Sequence, residues 1–279
     1  MGTEHYVYRR DGKVYLYQVG GGEPIIFLHA AGQSGWFWRN CVDGFARQFT
    51  CHVVDLPGFD HSDIPPRHYS MDDYVDAIMD VIDSIGLEQT HVVADHTGAL
   101  IGLILAGKHP ERVRRMVLDG LPFWNRRQGQ IIFEKSFTPM YTDETSYHIP
   151  VVPLNSWKEA QAKTPGIDRN IWKKTEEIKR RSQLWSRLSH EAHTNYDVEA
   201  ASPRVKSPTL LIYGDGDRVA RAAGRAKAGI KGSTLEIVDK SPGAAHLYQP
   251  DQFVRLAIEF LKAKEVSVDK AGGEQCGVT

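Results

Sequence analysis

The sequence predicts an α/β fold: a mostly parallel, doubly wound sheet with antiparallel strands at its N-terminal edge. Three observations predict it. Short apolar runs recur at residues 24–28, 51–54, 91–93, 116–118, 210–213 and 235–238, the length and composition of strands covered on both faces. Helical patterns lie between most of them, and strands alternating with helices imply a parallel sheet between two helical layers. Residues 6–10 and 14–18 alternate around Asp11-Gly12, the turn chemistry of a hairpin.

After the hairpin, Gly20-Gly21-Gly22 leads into the first buried run, residues 24–28. The clearest helix covers residues 71–85, with Ser70 and Asp73 as a capping box, Tyr74, Ile78, Val81, Ile82 and Ile85 on one stripe, and Gly86 as its stop. Alternation breaks between Phe123 and Val205. That stretch holds turn-rich pieces (Thr138-Pro139, Ile149-Pro150, Val152-Pro153) and then a helix over residues 171–188. Ile171, Ile178, Trp185 and Leu188 give this helix an apolar side, and Lys173, Lys174, Lys179, Arg180 and Arg181 give it a basic side that reads as solvated.

An insertion this long with helices of its own is expected to be a helical cap after the sixth core strand. Residues 1–122 and 206–264 then form the core and residues 123–205 the cap. Trp124, Trp157, Trp172 and Trp185 either line a pocket there or pack the cap onto the core. A last helix runs over residues 250–264 with Phe253, Leu256, Ala257, Phe260 and Leu261 on one face. Residues 265–279 lose periodicity and are expected to be disordered.

Composition narrows the function. A net charge of −1 gives no long-range pull toward nucleic acid or an anionic membrane, which leaves a small molecule as the expected partner. Cys41, Cys51 and Cys276 have no metal-ligand spacing, and an odd number cannot complete a disulfide framework. No cofactor or metal motif stands out. The first residues lack a basic stretch followed by an apolar run, and no apolar run is long enough to span a membrane, so a cytoplasmic protein is expected. Oligomeric state is not legible.

The chemistry lies in five segments. Residues 92–99 run from a strand through a tight turn into a helix, with His96 at the apex of Ala94-Asp95-His96-Thr97-Gly98. The others are Leu28-His29-Ala30-Ala31-Gly32-Gln33-Ser34, Val54-Asp55-Leu56-Pro57-Gly58-Phe59-Asp60-His61-Ser62, Leu211-Ile212-Tyr213-Gly214-Asp215-Gly216-Asp217 and Gly243-Ala244-Ala245-His246-Leu247-Tyr248-Gln249-Pro250. In this order they resemble the α/β-hydrolase family over residues 24–261. The resemblance implies the α/β-hydrolase fold, with His246 as general base and Asp217 as its acid. Asp119, at the end of the preceding strand, is the alternative acid. Backbone amides of Ala31 and Thr97 would form the oxyanion hole. The chain departs from the family pattern at Ala30 and Asp60, which stand where glycine is usual, and at His96, which stands where serine is usual.

An apex residue must adopt positive φ, which histidine tolerates better than most. The start of the following helix carries a positive partial charge that favours a neutral His96, able to act as nucleophile or base. Asp95 stands one residue before the apex, and is expected to bond nearby backbone or the Asp60–His61 loop rather than attack substrate. The leading functional reading is a hydrolase of a small carbonyl compound: an ester, lactone, thioester or the C–C bond of a diketone. The alternatives are a cofactor-independent lyase or oxygenase-type enzyme on the same fold, and a non-catalytic ligand-binding or regulatory relative.

Overall fold

A computed structural model describes residues 2–137, 155–163 and 168–263. Eight strands form one sheet: β1 (Thr3–Arg9), β2 (Gly12–Gly20), β3 (Glu23–Leu28), β4 (Phe49–Val54), β5 (Thr90–Asp95), β6 (Val113–Asp119), β7 (Thr209–Gly214) and β8 (Thr234–Val238), in the order β1-β2-β4-β3-β5-β6-β7-β8. The hairpin closes with Arg9 opposite Gly12, β2 lies antiparallel to β4, and every later pairing is parallel. The predicted class is therefore the observed one.

Side chains alternate strictly through this sheet. Ile26, Leu28, Val92, Ala94 and Leu118 face one core, with helices α2 (Met71–Ser84) and α3 (Thr97–Lys108). Ile25, Phe27, Val93, Val117 and Ile212 face the other, with α1 (Val42–Ala46) and the last helix, Pro250–Lys262. α3 is apolar all round and almost wholly buried, which is how a helix under a second layer must look. α2 begins with the predicted capping box, in which Ser70 and Asp73 satisfy each other's backbone amides.

Between β6 and β7 the described residues form α4 (Arg126–Ile132), a π-turn (Phe133–Phe137), α5 (Trp157–Lys163), α6 (Arg169–Thr194) and α7 (Val198–Ala201). α8 (Ala223–Gly229), α9 (Ala245–Tyr248) and α10 (Pro250–Lys262) complete the chain as described. α6 corrects two expectations. It runs six residues past Leu188, because Ser189 and His193 continue its buried stripe. Its basic side is not simply solvated: Arg181 Nη1 reaches Asp60 Oδ1 at 3.1 Å, and Lys174 Nζ stands 3.8 Å from Asp60 Oδ2. Trp185 closes the same joint, lying where a Cβ on Gly58 (φ +89°) would meet its ring at 2.8 Å. Trp124 is buried against His193, and Trp157 pairs with Trp172. The expected turns at Thr138-Pro139, Ile149-Pro150 and Val152-Pro153, and the tail, lie outside the described residues.

Candidate active site

Parallel strands deliver their C-terminal ends to one edge, and loops beyond that edge carry the polar groups. Asp95 ends β5, Asp119 ends β6, Asp217 follows β7, and His246 sits in α9 after β8. All four are buried.

His246 is fixed from three directions. Its Nδ1 lies 2.9 Å from Asp119 Oδ2, its backbone amide donates to the same oxygen at 2.9 Å, and the Ala245 amide donates to Asp119 Oδ1 at 3.0 Å. Its ring stacks on Trp38 with centroids 4.2 Å apart. Asp119 is thus the partner of His246. Asp217, the first candidate from sequence, instead caps its own turn by accepting the Val219 amide and faces the apex residue. The bond from Asp119 leaves the other imidazole nitrogen, Nε2, buried and without a hydrogen-bond partner among the described residues.

His96 adopts φ 42° and ψ −103°, the strained apex conformation that the turn requires. Its ring lies between two carboxylates. Nδ1 hydrogen-bonds Asp95 Oδ1, and Nε2 stands 3.1 Å from Asp217 Oδ2. Burial alone would drive this imidazole neutral, but the Asp95 and Asp217 charges and hydrogen bonds outweigh it and hold the pKa well above the ordinary value. The two carboxylates thus act against the neutral His96 expected from the helix terminus and favour its protonated form. Asp95 likewise departs from its expected place, since it bonds His96 and turns its second oxygen toward His246 Nε2, 4.0 Å away. Burial opposes its charge, yet the two imidazoles and the His96 bond keep its carboxyl below the usual carboxylate range.

Two histidines that sequence reasoning passed over complete the surroundings. His193 of α6 is 3.0 Å from the Thr97 hydroxyl through Nδ1, and His190 Nδ1 donates to the Ser186 carbonyl at 2.6 Å. Burial pushes both imidazoles toward neutrality, His190 to about 4, with the nearby His96 cation adding to it. Their i, i+3 spacing near the helix end was the available signal. His29 is structural: burial keeps it neutral, Nδ1 donates to Ala30 O at 2.8 Å and Nε2 accepts the Leu56 amide at 2.9 Å. Thr97 follows the apex residue and opens α3, where first-turn amides have no partner within the helix.

Among the described residues, one cluster has the composition of a metal site, Asp55, Asp60 and His61. Its charge is already met from within the protein. Asp55 accepts the Gly35 amide at 2.6 Å and His61 Nδ1 at 2.8 Å, while Arg181 and Lys174 face Asp60. Cys41 and Cys51 are free and buried. No helix among the described residues is long and apolar enough to cross a membrane.

Residues 23–248 match the family model described as the alpha/beta hydrolase fold. This chain belongs to the alpha/beta hydrolase fold family. It is similar to the 2-hydroxy-6-oxononadienedioate/2-hydroxy-6-oxononatrienedioate hydrolase 2 of Pseudomonas putida, 30% identical over 87% of this chain and 88% of that one. It also resembles the 2-hydroxy-6-oxo-6-phenylhexa-2,4-dienoate hydrolase of Comamonas testosteroni, at 24% identity over 91% of this chain and 93% of the relative. Among solved structures, the carboxylesterase CesB of Bacillus subtilis superposes with a TM-score of 0.75 at 20% identity, covering 94% and 92% of the two chains. As an alpha/beta hydrolase with hydrolases for relatives, the protein is an enzyme.

Proposed function

We propose that this alpha/beta hydrolase cleaves a small carbonyl compound, an ester, lactone, thioester or the C–C bond of a diketone, by adding water with His246 as the base. One observation carries the reading: His246 is oriented by Asp119 through Nδ1 while its Nε2 has no hydrogen-bond partner among the described residues. That is what a general base requires, a fixed tautomer and a free lone pair.

The substrate carbonyl oxygen would rest on the Ala31 and Thr97 amides. Water gives its proton to His246 Nε2 as its oxygen bonds the carbonyl carbon, and the amides hold the resulting oxyanion. Collapse re-forms the carbonyl, breaks the bond to the leaving group, and returns the proton from Nε2 to that group. His96 is not assigned the attack, because both of its nitrogens face carboxylates, which favour the protonated ring over one with a free lone pair. Its side chain keeps 29% of its surface exposed whereas His246 keeps none, so substrate meets His96 first. Asp217 and Asp95 hold it there, and the helices between β6 and β7 serve as the cap. The relatives' substrates, both oxo acids by name, support a carbonyl electrophile.

A panel of esters, lactones, thioesters and diketones tests this. His246→Ala is expected to lower turnover by about 10²–10⁴-fold, and His96→Ala to lower it as well. Turnover that survives His246→Ala on every substrate the wild type accepts would sink the mechanism.

A further inference from the structure

We propose that Asp95 is a positioning residue for both imidazoles: one oxygen holds His96 Nδ1, and the other receives His246 Nε2 once that nitrogen has taken a proton. The inference rests on His246 being the base and adds to it a second carboxylate, on the side opposite Asp119.

The geometry carries it. Asp95 is the last residue of β5, fully buried, with Oδ1 bonded to His96 Nδ1 and Oδ2 aimed at His246 Nε2. Neither Oδ2 nor Nε2 has a hydrogen-bond partner among the described residues, although both are buried polar atoms. Two such atoms 4.0 Å apart leave a desolvation cost unmet in each. A proton on Nε2 turns the pair into an N–H donor and a carboxylate acceptor, and a shift of about 1 Å closes a charge-assisted bond. With Oδ1 committed to His96, the part of Asp95 is to steady the protonated base between the two proton transfers. Bond making is unchanged: water's proton goes to Nε2 and later leaves with the product.

Among the described residues, Asp119 at the end of β6 bonds the His246 ring, Asp217 after β7 holds the far side of His96, His29 after β3 interacts electrostatically with Asp95, and His190 and His193 of α6 interact with His96. Cys41 Sγ donates to the His246 carbonyl, and burial pushes its thiol well up, keeping it neutral. Of the carboxylates among the described residues, only Asp95 and Asp119 lie within 4.0 Å of the His246 ring nitrogens.

The test is Asp95→Asn, with Asp217→Asn as the comparison. Losing the Asp95 charge is expected to lower kcat at least tenfold with KM changed less than threefold. It should also move the acidic limb of the pH–rate profile down by about one unit, because the protonated base has lost an opposite charge. Asp217→Asn removes the other His96 partner and leaves the limb where it was. An unmoved limb in Asp95→Asn, or an equal shift in both variants, overturns the proposal, whereas survival of His246→Ala would overturn the base assignment itself. If Asp95→Asn does not fold, ¹³C-labelled wild-type protein decides. The Asp95 carboxyl resonance should move in the same titration step in which His246 takes its proton, and a resonance blind to that step overturns the inference.

Discussion

At residue 96, two effects compete for one proton. A helix terminus disfavours the cation by about 0.3–1 kcal/mol at most exposed sites. A facing carboxylate favours it by about 1–3 pKa units, each worth about 1.4 kcal/mol, and His96 has two. The carboxylates win. The sequence displays the dipole, but not that Asp95 and Asp217 both turn toward His96. The clamp depends on Gly120, whose φ is +62° and where a Cβ would lie 2.7 Å from His96 Cε1 and 3.0 Å from Asp217 Oδ2. Gly120→Ala is expected to cost about 1–2 kcal/mol and to weaken the hold on the His96 proton. Thermal unfolding and histidine NMR measure both. An unchanged melting temperature with unchanged His96 titration would show that the clamp has room to spare.

Among the elements, α6 departs most from its pattern. Its buried stripe includes Ser182, Ser186, Ser189 and His193 beside Ile178 and Trp185, and a search for apolar periodicity stops at the serines. The physical reason is local bonding: Ser182 and Ser189 turn their hydroxyls onto carbonyls of their own helix, so they can be buried without partners elsewhere. Burying His190 and His193 as neutral rings has a pH signature. Their folded pKa values lie below the unfolded 6.5, so the unfolded chain binds more protons as the pH falls. Their contribution to stability is intact above pH 6.5 and declines toward about pH 4, where His190 titrates in the fold. His96 has the opposite sign. Its contribution is whole below pH 6.5 and declines as the pH rises through its raised folded value. Urea unfolding from pH 7 to 4 should show stability falling on the acid side, with a shallower slope in His190→Gln. Equal slopes would mean that His190 is protonated in the folded protein.

Over the whole molecule, the fold was legible because its rules are local and repeated. Each apolar run found its strand, and Ser70, Asp73 and Gly86 marked the ends of α2 correctly. The site was legible as an inventory but not as a wiring. His246, Asp119, Asp217 and His96 all come to one edge. Which acid meets which imidazole depends on how loops from β6, β7 and β8 lean together, and no spacing encodes that. The joint between core and α6 was missed for the same reason. Asp60 looked like a misplaced glycine, yet it keeps positive φ (40°) and buries its carboxylate against Arg181 and Lys174. Arg181→Ala should weaken the joint by about 1 kcal/mol, since the arginine is half exposed although its partner is not. Limited proteolysis within α6 and a salt titration of stability read this out. A variant that is cut no faster than wild type would assign the joint to Trp185 packing alone.

The separate acids also bear on how such a site can be inherited. With the acid partner of His246 coming from β6, the apex residue and the β7 loop form a second pair that can be exchanged without dismantling the first. A different residue at position 96 would leave the Asp119–His246 pair in place, because none of the bonds that hold that pair passes through the apex.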